Sequence, residues 1–300
     1  MMKPPALKKG DTVGIVSPSG MFSNELMRNG VELLQSLGFR VKLYRENIRP
    51  FRYMAGSDQE RAEEFMAMFL DDEIKGIFTT RGGYGSIRIV PYLEVEKIKN
   101  HPKVFVGYSD ITSLHLFLLN RCNMCCFYGP MVAQQRPISV EELEILLNLI
   151  MGKMEYGILG RGETLRGGKA VGRLIGGCLS LIVSSIGTGL DAPFEGNILF
   201  LEDVGEPPYR IDRMLTQLKM AGMLSHLKGI IFGSFENCGP SDLLREIILD
   251  IVDGWDFPVI FNFPSGHGER ILTLPLGAEV MINGDDGSVY LMERPVECMG

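Results

Sequence analysis

The sequence predicts an α/β protein whose first half is an open, mostly parallel sheet and whose second half is a smaller α/β unit. Two observations carry that expectation. Short apolar runs alternate with amphipathic helical segments in the first half, the pattern of strands joined by helical crossovers. The strands "TVGIVS", "GIFTT" and "VFVG" are moreover continuously apolar, as strands covered on both faces must be.

The elements follow in order. Thr12 to Ser17 reads as a strand, Glu25 to Leu37 as a helix stopped by Gly38, and Val41 to Tyr44 as the next strand. Ser57 with Glu60 three residues on is a capping-box signature, after which Ala62, Phe65, Met66 and Phe69 recur at helical spacing. Gly76 to Thr80 and Val104 to Gly107 are two further strands. The pattern changes at Ser139, which with Glu142 opens a helix by a second capping box; the polar, Gly-rich run that follows places a linker at 151–166, between an N-terminal domain over 1–150 and a C-terminal one over 167–300. That second half holds the buried strand Asn197 to Glu202, a helix over "YRIDRMLTQLKMAG" with Gly222 as its C-terminal cap, and the strands "GIIFGSF", "PVIFNF", "AEVMING" and "VYLME".

Bulk properties narrow the function. A chain of 300 residues, 45% hydrophobic and 22% charged, has ample core for an enzyme. Its net charge of -7 and pI near 5.3 argue against nucleic acid as a partner. The N-terminus lacks an apolar export segment and no apolar run has the length of a membrane span, so the expectation is a cytoplasmic protein with no membrane partner. Six cysteines in a chain this long do not resemble a disulfide framework; the "RCNMCC" cluster reads as small buried residues entering a strand, since a zinc site would want a second pair at similar spacing.

In a parallel sheet, ligands bind beyond the carboxyl ends of the strands. Three segments there could carry chemistry. Ser109 in "VGYSDIT" stands where a strand turns into a helix, which suits either a helix cap or a displayed nucleophile whose neighbouring N–H groups stabilise negative charge; Ile111 replaces the last glycine of the G-x-S-x-G elbow. "TTRGGYG" offers Gly82 and Gly83 in a turn that allows close backbone approach, while the spacing of a dinucleotide fingerprint is absent. Glu202 ends an apolar run that would leave its carboxylate partly desolvated and in need of a partner. Among four histidines, His267 stands out between Gly266 and Gly268, and a histidine base needs an orienting carboxylate and a nucleophile, for which Glu202 and Ser109 are the best available pair.

Taken together, "GYSDIT", "LFLEDVGEPPYRIDRML" and "GHGERILTLPLG" resemble the LD-carboxypeptidase family of serine peptidases. "KGDTVGIVSPSG", "RGGYGSIRIVPYL", "YGPM" and "GRLIGGCLSLI" extend the resemblance over nearly the whole chain. It implies a flavodoxin-like, class I glutamine amidotransferase-like N-terminal domain, and a Ser109, His267, Glu202 triad with an oxyanion hole from the N–H groups of Gly82 and Asp110. It also implies a cofactor-independent enzyme acting on a small L,D-peptide. Its expected role is release of D-alanine from murein tetrapeptide during cell-wall recycling, or, as in one branch of the family, cleavage of the amide of an aminoacyl nucleotide antibiotic. A homodimer is expected. Arg81, Arg210 and Arg213 are candidates for the substrate carboxylate. The chain departs from the family pattern at Cys178, Arg270 and Ile271, on loops expected to face the substrate. A two-domain binding protein would fit the same architecture but would leave Ser109, Glu202 and His267 far apart.

Overall fold

The computed structural model describes residues 1–45, 48–191 and 194–298. Its first half runs β1 (Thr12–Val16), α1 (Asn24–Ser36), β2 (Arg40–Leu43), α2 (Asp58–Leu70), β3 (Ile74–Thr79), the short α3 (Ser86–Ile89) and α4 (Val95–Lys99), β4 (Val104–Gly107), α5 (Thr112–Asn120), β5 (Cys126–Tyr128) and α6 (Val140–Ile150). Both capping boxes form as the spacing requires. Ser57 Oγ accepts from the Glu60 N–H at 3.3 Å while Glu60 takes the Ser57 N–H at 2.8 Å, and Ser139 and Glu142 repeat the exchange at the same two distances.

Residues 157–161 form β6 (Gly157–Arg161) and residues 163–166 form β7 (Glu163–Arg166), so the segment expected as a linker is mostly strand. The chain continues through β8 (Lys169–Cys178), α7 (Leu179–Ser184), β9 (Ile198–Val204), α8 (Pro208–Met220), β10 (Gly229–Glu236), α9 (Ser241–Ile251), β11 (Val259–Phe261), β12 (Leu274–Leu276), β13 (Glu279–Asn283) and β14 (Ser288–Leu291). Gly222, at φ 73°, ends α8 in a Schellman arrangement: its N–H donates to Lys219 O and that of Met223 to Leu218 O, both at 3.0 Å.

Two sheets result. The first has the order β12-β5-β4-β3-β1-β2 and is parallel except for β12, which joins antiparallel to β5. Val13, Ile15, Val104, Phe105 and Val106 are all buried, which explains their unbroken apolar runs. The chain leaves β1 toward β2 and returns on the other side at β3, so the strand order reverses between β1 and β3; their carboxyl ends and that of β4 face one crevice. The second sheet has the order β6-β14-β13-β8-β9-β10-β11-β7. Its first and last strands are consecutive in the chain, separated by Gly162 alone, so the sheet curls until its edges meet there. The outer position of β6 and β7 explains their polar sequence, because an edge strand with a solvated face needs no continuous apolar run.

One connection positions the site. After β11 the chain leaves the second sheet and enters the first as β12, and residues 262–273 bridge the two. His267 lies on that bridge.

Candidate active site

Ser109 follows β4 at φ 64°, a left-handed conformation that L side chains adopt only under constraint. The turn opens as a 3-10 segment, Ser109–Ile111, before α5, and no side-chain capping bond forms at the start of either. Ser109 therefore displays its hydroxyl and does not cap. Gly107 is required just before it, because a Cβ there would stand 2.4 Å from Thr79 Oγ1 and 2.9 Å from Ile111 Cγ2.

The His267 Nε2 lies 2.9 Å from Ser109 Oγ, and His267 Nδ1 lies 2.7 Å from Glu202 Oε2. A carboxylate only accepts, so Nδ1 carries the proton toward Glu202 and Nε2 is left to accept the Ser109 hydroxyl proton. Glu202 also takes the His267 backbone N–H at 3.1 Å, fixing main chain and ring together. Ring burial pulls the His267 pKa down, but the Glu202 charge and hydrogen bond, with Asp203 behind them, outweigh burial and hold it above the ordinary histidine value.

Glu202 itself is fully buried, and its second oxygen needs a donor. Tyr128 supplies one: its hydroxyl donates to Glu202 Oε1 at 2.6 Å and accepts the Ser109 N–H at 3.3 Å. Burial, then the Glu202 charge, push the phenol well above its usual pKa, so it stays a neutral donor. Sequence reading missed this residue; the signal was an aromatic hydroxyl at the end of a buried strand, in "CFYGP", where a polar tip must find a partner.

Gly82 touches the same point. A Cβ on it would stand 2.7 Å from both Cβ and Oγ of Ser109 and 3.2 Å from the Asp110 nitrogen, so the Gly82 backbone packs directly against the serine side chain and the start of the turn that follows it. The Asp110 side chain ties the surrounding loops together, its Oδ2 accepting from Ser19 Oγ at 2.6 Å and from the Ser86 N–H at 2.8 Å. Beneath them the fully buried Arg61 donates to Gly85 O at 2.8 Å, to Gly56 O at 3.2 Å and to Pro18 O. The loops after β1, β3 and β4 are thus clamped from below by one carboxylate and one guanidinium.

Above them opens a cleft of about 480 Å3. Arg81 lines it, donating to Met21 O at 2.7 Å. Arg210 and Arg213, named with it as carboxylate ligands, do not: Arg210 pairs with Glu206 at 3.3 Å on the exposed start of α8, and Arg213 lies over the Tyr209 ring. Arg210 reaches back to the loop before α8, and Arg213 lies one turn along the helix from Tyr209. Arg136 is the cleft cation that the sequence reading missed, and it is held bidentately by the buried Glu142 at 2.5 and 3.1 Å. The family departures also sit elsewhere than expected. Cys178 is buried behind Glu202, its Sγ 3.5 Å from Asp203 Oδ1; Ile271 is fully buried; Arg270 points to solvent against Glu141 at 3.0 Å. Cys122 and Cys125 are buried thiols pushed up to about 12, and Cys126 lies within β5.

A buried carboxylate orienting a histidine that faces a strained serine defines a hydrolase-type site on a two-sheet α/β fold. The comparisons make the class definite: the LD-carboxypeptidase N-terminal domain matches residues 13–129, and the LD-carboxypeptidase C-terminal domain matches residues 171–282. A probable murein peptide carboxypeptidase of Bacillus subtilis is 36% identical over 293 residues, 94% of this chain and 91% of that one. The chain belongs to the LD-carboxypeptidase family and is a carboxypeptidase. Among solved structures, the muramoyltetrapeptide carboxypeptidase of Oxalobacter formigenes superposes with a TM-score of 0.84 at 26% identity, covering 93% of this chain and 97% of that one. The Microcin C7 self-immunity protein MccF of Escherichia coli is 27% identical over 96% of this chain and 95% of its own; a complex of MccF with glutamyl sulfamoyl guanosine superposes with a TM-score of 0.91 at 25% identity, covering 99% and 100%.

Proposed function

We propose that the chain is a serine peptidase that releases terminal D-alanine from a murein tetrapeptide in the cytoplasm, in the recycling of cell-wall fragments. The observation that carries this reading is the continuous relay from Ser109 through His267 to Glu202 at 2.9 and 2.7 Å. Ser109 Oγ attacks the carbonyl carbon of the L,D-amide as its proton passes to His267 Nε2. The oxyanion is received by the N–H groups of Gly82 and Asp110, oriented before the reaction by the clamped loops. Collapse expels the amine of D-alanine, which takes the proton back from His267. Water, deprotonated by the same imidazole, then attacks the acyl carbon and frees Ser109. Glu202 keeps the imidazole in the tautomer both steps need and stabilises its charged form, and Tyr128 holds Glu202. Arg81 is the cation for the leaving carboxylate.

In this reading an N-terminal unit over 1–150 carries Ser109, and a C-terminal unit over 167–300 carries Glu202 and His267 and lends β12 to the first sheet, with the cleft between the units; the protein acts as a homodimer without a cofactor. D-Alanine release from a murein tetrapeptide is expected with the native chain and lost by several orders of magnitude in Ser109→Ala. Equal rates in the two would end this reading.

The similarity to MccF favours a second substrate, the amide of an aminoacyl nucleotide analogue. The same relay would cleave it. Parallel kcat/KM measurements on the tetrapeptide and on an aminoacyl sulfamoyl adenosine decide between them, and a higher value for the nucleotide would replace the tetrapeptide as the substrate.

A further inference from the structure

The cleft is electrically polarised. Loops of the first sheet bring Arg81 and Arg136 to its lining, and the second sheet brings Glu236, at the end of β10, near His267. Arg136 is neutralised by Glu142, whereas Arg81 has no carboxylate partner among the described residues. Glu236 has no cation partner among them either. It closes β10 opposite Val204, two residues beyond Glu202 on the neighbouring strand. The main chain there is fixed, since Glu236 O accepts the Gly205 N–H at 2.8 Å and Asn237 turns the chain at φ 54°. The carboxylate lies close to the segment that carries His267: a Cβ on Gly268, the next residue, would be 3.8 Å from Glu236 Oε2.

An open cleft hydrates both charges, so leaving them unpaired costs little. A bound substrate displaces that water, and each charge then needs a complement. With Arg81 taking a carboxylate, Glu236 asks for a cation. We propose that Glu236 is a specificity residue that receives a free ammonium group on the acyl half of the substrate; this rests on the peptidase reading above. The preferred substrate is then zwitterionic across the scissile bond, with an anionic leaving amino acid and a primary amine on the residue that acylates Ser109. Both the residue and its partner chemistry are independent of the Ser109, His267 and Glu202 relay, since Glu236 does not touch any of the three reacting atoms.

The test uses the full chain and two tetrapeptides ending in D-alanine, one with a free side-chain amine on its diamino residue and one in which that amine is acetylated. The native enzyme is expected to favour the free amine in kcat/KM by about tenfold or more, the scale of one charge-assisted hydrogen bond. Glu236→Gln is expected to bring the ratio near one by losing rate on the free-amine peptide alone, while its rate on the acetylated peptide stays within about twofold of native and so reports an intact relay. Raising the salt from about 50 to about 500 mM should shrink the native ratio and leave that of the variant unchanged. A native enzyme indifferent to acetylation overturns the proposal but leaves the peptidase reading standing, as does a variant that loses the same factor on both peptides. Release from neither peptide overturns both.

Discussion

Replacing Tyr128 by phenylalanine removes one oxygen from a fully buried ring and leaves the packing against Phe200 and His115 in place. That oxygen has two jobs: it donates to Glu202 Oε1 at 2.6 Å and accepts the Ser109 N–H at 3.3 Å. Losing the first strands one oxygen of a carboxylate that has no solvent access, at a cost of about 1.5–3 kcal/mol for a hydrogen bond to a charged group. The second is longer and neutral, worth about 0.5–1.5 kcal/mol. No cavity term applies, because the ring stays. Unfolding free energy is therefore expected to fall by about 2–4.5 kcal/mol in denaturant titration. If half of the Glu202 bond is also needed to hold the imidazole over Ser109, kcat falls by about four- to tenfold, at 1.36 kcal/mol per decade, with KM little changed. The assay is D-alanine release at saturating tetrapeptide, run beside urea unfolding of both proteins. A Tyr128→Phe protein within about 0.5 kcal/mol of native stability and within twofold in kcat would refute the assignment of the phenol as the support of Glu202.

Two further predictions concern the relay and the oxyanion site. His267 acts as a base only when neutral and its pKa is raised, so kcat/KM should be present at alkaline pH and fall as pH drops through a value above 6.5; in Glu202→Gln, burial of the ring is opposed by the Asp203 charge alone, so the midpoint should move below that of the native enzyme while kcat drops on the order of 10^3–10^4-fold, and an unmoved midpoint would refute the coupling. Gly82→Ala puts a methyl 2.7 Å from Ser109 Oγ without requiring a left-handed backbone, so folding should be retained while kcat falls at least about 100-fold, and near-native turnover would remove Gly82 from the oxyanion site.

Much of this architecture was legible in the residues. The continuous apolar runs around Val13, Ile77 and Phe105 gave the buried parallel strands, and the two Ser-to-Glu capping boxes set the starts of α2 and α6 to the residue, because both signals are local: a strand's burial and a helix's first N–H groups depend on side chains a few positions away. The edge strands β6 and β7 escaped notice because edges are polar, and polarity in a Gly-rich stretch reads as connection.

The candidate site divides in the same way. Ser109, Glu202 and His267 each announced themselves locally, by a strand-to-helix turn, a carboxylate ending an apolar run and a histidine between glycines. Their meeting did not, since 158 positions separate serine and histidine and spacing along a chain carries no distance through space. Only the passage of residues 262–273 from the second sheet to β12 in the first carries His267 over Ser109. The same folding step decided which charges line the cleft, sending Arg210 and Arg213 to the surface of α8 and leaving Arg81, from a loop of the first sheet, and Glu236, from a strand of the second, in its lining. Sequence named the chemistry of each side chain; the packing of two sheets through one crossing segment determined which of them could act together.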